Sequence, residues 1–193
     1  MFEYIFGRIV VLTPTYIVLE NNGIGYFISI TLNTYGALRL NEDEKIFVHQ
    51  IVREDAHLLY GFKGEIEREV FRLLLSVSGI GANTARMILS AMSPVELSMA
   101  IANEQISVLQ HIKGIGSKTA QRLIVELKDK IQKISSVDQN ISSSNNSFAD
   151  EALSALVMLG FPKYQVEKTL REIIRQHPQL SVEELIKMAL KEL

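Results

Sequence analysis

The sequence has 193 residues, 47% of them hydrophobic, with a formal net charge of −2 and no cysteine. That length allows one to three small domains with ample core material, and the missing cysteines exclude a disulfide framework and a thiolate zinc site, which fits a reducing cytoplasm. No run approaches the ~18 uncharged apolar residues of a membrane span, Glu3 and Arg8 interrupt any signal-peptide core, and the four histidines lie too far apart for a histidine-rich metal site.

Residues 1–63 read as β. Runs rich in Ile, Val, Tyr and Phe recur at 4–12, 15–20, 25–31, 45–52 and 57–62, the composition of half-buried strands. Asn21-Asn22-Gly23 supplies a hairpin turn between the second and third. Five short strands in so few residues predict a small barrel, with the OB-fold as the leading candidate. Arg53-Glu54-Asp55 falls between the last two runs. On pattern alone it is a solvated polar turn.

Residues 64–134 read as helical and contain one stretch twice. Ser78-Gly79-Ile80-Gly81-Ala82-Asn83-Thr84-Ala85 returns 35 residues later as Lys113-Gly114-Ile115-Gly116-Ser117-Lys118-Thr119-Ala120. Each copy follows a short apolar run and opens a periodic helix. Ala85, Ile88, Leu89 and Met92 share one face after the first copy; Ala120, Leu123, Ile124, Leu127, Ile131 and Ile134 share one after the second. Between them, Ser93-Pro94-Val95-Glu96 has the form of a capping box with proline at the first helical position.

Each unit is therefore helix, Gly-Ile-Gly turn, helix. Glycine lets the backbone press close to a ligand, and the following helix N-terminus offers free N–H groups backed by the helix dipole. That is an anion site suited to phosphate. The isoleucine between the glycines is expected to turn inward as a plug. One such turn can be a plain helix connection. Two in the same context point to a ligand of repeated phosphates, a nucleic-acid backbone. The candidate phosphate-binding residues are Gly79, Gly81, Asn83 and Arg86 at the first turn and Gly114, Gly116, Lys118, Thr119 and Arg122 at the second. A dinucleotide fold would need a third glycine and a preceding strand, and no segment has the P-loop spacing.

The charge is unevenly spread. Lys113, Lys118, Arg122, Lys128, Lys130 and Lys133 face only Glu126 and Asp129 within 113–133, so the basic side belongs to the doubled motif. Residues 135–147 hold six serines and three asparagines, too polar for a core, and predict a flexible linker spanning roughly 20 Å as a coil. Residues 148–193 resume as three short helices. Gly160-Phe161-Pro162 ends the first and Ser181-Val182-Glu183-Glu184 caps the third. Their near-balanced charge suits protein docking better than DNA. The Met-Leu-Gly-Phe-Pro turn is similar to ubiquitin-associated-type (UBA-like) three-helix domains.

The predicted fold class is thus α+β and multidomain: an N-terminal OB-fold β-barrel, a central tandem helix-hairpin-helix domain, and a C-terminal three-helix module. In this order, Arg53-Glu54-Asp55-Ala56-His57-Leu58-Leu59-Tyr60-Gly61-Phe62, the two Gly-Ile-Gly turns and Thr119-Ala120-Gln121-Arg122-Leu123-Ile124-Val125-Glu126-Leu127-Lys128-Asp129 resemble the RuvA family of bacterial Holliday-junction-binding proteins along the whole chain. The resemblance implies a non-catalytic, cytoplasmic DNA-binding subunit without cofactor or metal, acting in recombination, repair and the SOS response to DNA damage. It implies a homotetramer, or an octamer, that holds an open four-way junction. Glu54 and Asp55 become an acidic pin at the crossover, and the C-terminal module docks the RuvB-type hexameric ATPase that drives branch migration. Leu156, Leu159 and Phe161 are the candidate docking residues, and a RuvC-type resolvase is a further implied partner.

The family usually has proline and lysine where this chain has Ala82 and Asn83. The first hairpin is therefore expected to hold phosphate mainly through backbone N–H groups, helped by Arg86. Two other function classes share the hairpins. A glycosylase would need a catalytic aspartate in a pocket, whereas Asp129 lies among surface charges and Asp138 in the linker. An accessory subunit of a repair nuclease or ligase would not need the barrel with its acidic turn.

Overall fold

The computed structural model describes residues 2–135, 144–177 and 180–193, with side chains from 2–131, 148–177 and 180–193. Residues 1–137 form one compact unit and 138–193 a second.

The first unit begins with strands β1 (Tyr4–Leu12), β2 (Tyr16–Asn21) and β3 (Ile24–Ile30), then helix α1 (Leu32–Ala37), β4 (Asp43–Val52) and β5 (His57–Phe62). They close a barrel in the order β1-β2-β3-β5-β4. Every pairing is antiparallel except β3 with β5. Period-two alternation builds it: Ile5 and Ile9 of β1 point inward while Tyr4, Phe6 and Arg8 point out. Ile17, Leu19, Ile28, Ile30, Ile46 and Val48 complete the barrel core. Asn22 and Gly23 both have positive φ, which closes the β2–β3 hairpin. The five expected strand runs therefore fold as an OB-like barrel. Helix α1 has no counterpart among the expected elements, because six residues are too few for a helical period to show.

The helical part follows without a gap: α2 (Glu65–Leu75), α3 (Ala82–Ala91), α4 (Pro94–Ala102), α5 (Ile106–Gln110) and α6 (Ser117–Ser135). The capping box of Ser93 and Glu96 is present at α4. One core runs from the barrel into these helices: Tyr60 and Phe62 of β5 pack with Phe71, Leu74, Ile88, Leu97, Leu123 and Leu127. Polar contacts reinforce the union. Arg68 of α2 is buried, ion-paired to Glu3, to Glu65 at 3.0 Å and to Glu69 at 3.1 Å, with its guanidinium over the Phe47 ring. Glu67, also buried, accepts from Thr31 Oγ1 at 2.5 Å and Thr34 Oγ1 at 2.8 Å.

The second unit contains α7 (Ser144–Met158), α8 (Lys163–Gln176) and α9 (Val182–Glu192). Ala152, Leu156, Val166, Leu170, Ile173, Leu185 and Ala189 form its core, and Ser181 and Glu184 make the expected capping box. The expected linker of 135–147 is shorter at both ends. Ser135 closes α6 and Ser144 opens α7, while residues 136–143 lie outside those described. The side chains of Lys133 and Ile134 lie outside the described ones as well. Among the described residues no single helix is long and apolar enough to cross a membrane.

Candidate nucleic-acid interface

The two Gly-Ile-Gly turns are matched bond for bond. Ile80 N–H donates to the Val77 carbonyl at 3.1 Å, and Ile115 N–H to the Ile112 carbonyl at 3.0 Å. Ala85 N–H donates to Gly81, and Ala120 N–H to Gly116, both at 2.9 Å. Gly79 and Gly114 have φ of 90° and 91°, a conformation that side chains disfavour. Ile80 and Ile115 are buried in the shared core, the inward plugs that the sequence predicts.

The chemistry lies at the helix starts. Gly81 caps α3 without a side-chain hydrogen bond, and Gly116, at the equivalent place before α6, has no side chain to offer. The first N–H groups of both helices therefore keep their donor capacity for a ligand. A Cβ built on Gly81 or Gly116 meets nothing within 4 Å, so the approach to each turn is open. Each turn is an uncapped, exposed anion cradle.

The side chains are sorted less evenly. Asn83 and Lys118 are exposed, and Thr119 is half-buried. Arg86 is turned toward the barrel, where Nη1 donates to the Thr15 carbonyl at 3.1 Å. Arg122 Nη1 donates to the Ser78 carbonyl at 3.0 Å, with Glu126 3.9 Å from its Nε. Lys128 is held by Glu104 at 2.5 Å, and this hydrogen bond keeps the Glu104 carboxyl below its ordinary range. Of the basic run, Lys113, Lys118 and Lys130 have no partner among the described residues. Sequence reasoning missed Ser78, Thr15 and Asn33, whose contacts are fixed by folding and carry no local signal.

Glu54 and Asp55 stand exposed between β4 and β5, in a turn closed by Arg53 N–H donating to the Ala56 carbonyl at 2.8 Å. Neither carboxylate has a partner among the described residues. On the C-terminal unit, Leu159 is 62% exposed, whereas Leu156 is fully buried. Leu156 is therefore core rather than a docking residue, because its position on α7 faces α8 and α9. Phe161 is half-buried against the same core. Val157, Met158 and Tyr164 are exposed beside Leu159 in sequence, around the turn where Gly160 adopts φ 100°. Among the described residues no cluster of acidic or histidine side chains is placed to hold a metal ion.

Comparison with known proteins covers all three parts. The family described as RuvA N terminal domain matches residues 1–61, the SAM-like Helix-hairpin-helix tandem matches 71–129, and the RuvA C-terminal domain matches 147–193. A protein of Christiangramia forsetii, named Holliday junction branch migration complex subunit RuvA, is 47% identical over 193 residues and covers all of both chains. Proteins of the same name from Flavobacterium psychrophilum and Parabacteroides distasonis are 47% and 50% identical, over 100% and 99% of each chain. With a matching barrel, hairpin pair and C-terminal module in one order, and relatives of this identity end to end, the chain belongs to the RuvA family.

Proposed function

We propose that this protein binds four-way junction DNA irrespective of base sequence, holds it open, and brings a RuvB-type ATPase to it for branch migration. The observation that carries this reading is the matched pair of uncapped helix N-termini on one rigid core, each behind an open Gly-Ile-Gly turn. Phosphates docked on backbone N–H groups carry no sequence information, so the arms of any junction would be held alike. A homotetramer would repeat the pair around the crossover, with Glu54 and Asp55 of each copy toward its centre.

The chain itself supplies no reaction in this reading. ATP hydrolysis belongs to the partner, which would dock on the exposed Leu159 region of the C-terminal unit, and a RuvC-type resolvase would act on the held junction. The place of action would be the cytoplasm. Gel shifts of four-way junction against duplex of equal length, with the mass of the free protein measured in parallel, test it. Tight, salt-sensitive junction preference by a tetramer is the expected result. Equal affinity for both DNA forms would overturn it.

A further inference from the structure

We propose that Asn33 and Arg86 are positioning residues that fix the first hairpin's phosphate site against the acidic turn of the barrel, an inference that rests on the junction-binding reading above. Helix α3 carries that phosphate site at its N-terminus. As a ten-residue helix it is about 15 Å long, so a small tilt at its far end moves the cradle. Two separate barrel loops hold it against such a tilt.

At the C-terminal end, the carbonyls of the last turn lack intrahelical donors. The Asn33 amide supplies them, donating to the Leu89 carbonyl at 2.6 Å and the Met92 carbonyl at 3.2 Å. Beside it, Leu32 N–H donates to Ser90 Oγ at 3.1 Å. Nearer the N-terminus, Arg86 donates to the Thr15 carbonyl at 3.1 Å. Thr15 lies between β1 and β2, and Asn33 lies in α1 between β3 and β4.

Helix α1 is itself anchored. Thr31 and Thr34 both donate to the buried Glu67 of α2, and Thr34 Oγ1 accepts from Lys63 N–H at 3.0 Å. It works as a bracket between the two helices of the first hairpin. The acidic turn belongs to the same barrel through β4 and β5. The distance from the first cradle to Glu54 and Asp55 is therefore set through these two grips as well as through the shared core.

The test uses full-length protein carrying Asn33→Ala or Arg86→Met, titrated on junction and duplex over a salt series, with melting followed in parallel. Positioning predicts that the junction-to-duplex preference falls about five-fold while duplex affinity stays within about two-fold of the wild type. The slope of log affinity against log salt stays unchanged, since every phosphate is still neutralised. If Arg86→Met weakens both DNA forms alike and lowers the slope by about 0.9, Arg86 is a phosphate ligand and the inference fails for it. If either variant keeps the wild-type preference, the inference is overturned for that residue; should Asn33→Ala fail to fold, Arg86→Met decides. A wild type without junction preference overturns the functional reading and the inference together.

Discussion

The guanidinium of Arg122 donates to the carbonyl of Ser78 at 3.0 Å, joining the helix after the second turn to the residue before the first. Met87, the residue 35 positions before Arg122, repeats the reach in the other direction. Its Cε lies 3.6 Å from where a Cβ on Gly114 would stand. Each hairpin thus leans on the turn of the other, and the spacing between the two cradles is built into the pair.

The four glycines of the turns separate into two kinds. Gly79 and Gly114 have positive φ, so alanine there strains the backbone by about 1–2 kcal/mol. Gly81 and Gly116 do not, and a methyl group on them meets no protein atom. Gly116→Ala and Gly81→Ala should therefore melt like the wild type yet bind DNA more weakly, because the methyl occupies the approach to the cradle. Gly114→Ala should lower both melting temperature and affinity. Thermal melts paired with gel shifts check this, and unchanged DNA binding by Gly116→Ala would remove the cradle from the interface.

Lysines of the basic run should behave differently from one another. Lys118 is exposed without a partner, whereas Lys128 is tied to Glu104. Lys118→Ala should weaken junction binding and lower the salt slope by about 0.9, the share of the one phosphate that Lys118 neutralises. Lys128→Ala should leave the slope as it was. Affinities measured across a range of salt concentrations distinguish the two, and equal slopes for Lys118→Ala and the wild type would count against phosphate binding by Lys118.

Much of this architecture is legible in the sequence because its signals are local. The strands announce themselves by Ile, Val, Tyr and Phe in runs, α4 and α9 by their capping boxes, and the turns by a doubled motif whose isoleucines are buried as predicted. What was hidden depends on contacts between distant residues. Arg86 and Arg122 read as free cations, yet carbonyls far along the chain occupy both. Leu156 and Leu159 are both leucines near the end of α7, and three positions along a helix separate core from solvent. Glu67 carried no sign of burial, since its threonine partners lie more than thirty residues earlier.

That burial has a pH signature. Desolvation pushes the Glu67 carboxyl above its ordinary value of 4.5, with the Thr31 and Thr34 hydrogen bonds pulling the other way. With the folded pKa above the unfolded one, the fold binds this proton more tightly than the unfolded chain does. Glu67 therefore favours folding most at a pH below 4.5, and that contribution is lost as pH rises through the raised folded pKa. Glu67→Gln removes the titration, so the melting temperature of the wild type relative to this variant should rise as pH falls from 7 toward about 4.5. Glu67→Ala should cost about 1–3 kcal/mol at any pH by leaving two buried hydroxyls unpaired. A constant gap between wild type and Glu67→Gln across pH would contradict the raised pKa.

On the C-terminal unit, burial divides the candidates cleanly. Leu156→Ala should destabilise the three-helix core by about 2–5 kcal/mol. Leu159→Ala and Met158→Ala, both at exposed positions, should leave melting unchanged and reduce stimulation of a RuvB-type ATPase. Phe161→Ala should show some of each effect, being half-buried. Melting of the unit and ATPase assays with junction DNA provide the two readouts. Full stimulation by the Leu159→Ala, Met158→Ala double variant would move the docking surface elsewhere.

Glu54 and Asp55 are where a solvated turn and a functional pin differ most. Their turn is held by a backbone bond between Arg53 and Ala56, so neutral side chains should preserve it, with stability changed by no more than about 0.5 kcal/mol. As ordinary surface groups they would then have no effect on DNA. In a tetramer with the turns at the centre, two carboxylates from every copy would converge where phosphates crowd. Their repulsion would weaken all DNA binding but penalise continuous duplex most, since a crossover can part its strands around them. Glu54→Gln with Asp55→Asn should therefore tighten binding to both DNA forms and shrink the junction-to-duplex preference. The change should be larger at low salt, where screening is weaker. Gel shifts on both forms at two salt concentrations measure it directly, and a preference that stays at the wild-type value would leave the hairpins as the interface and reduce the acidic turn to solvent-facing loop.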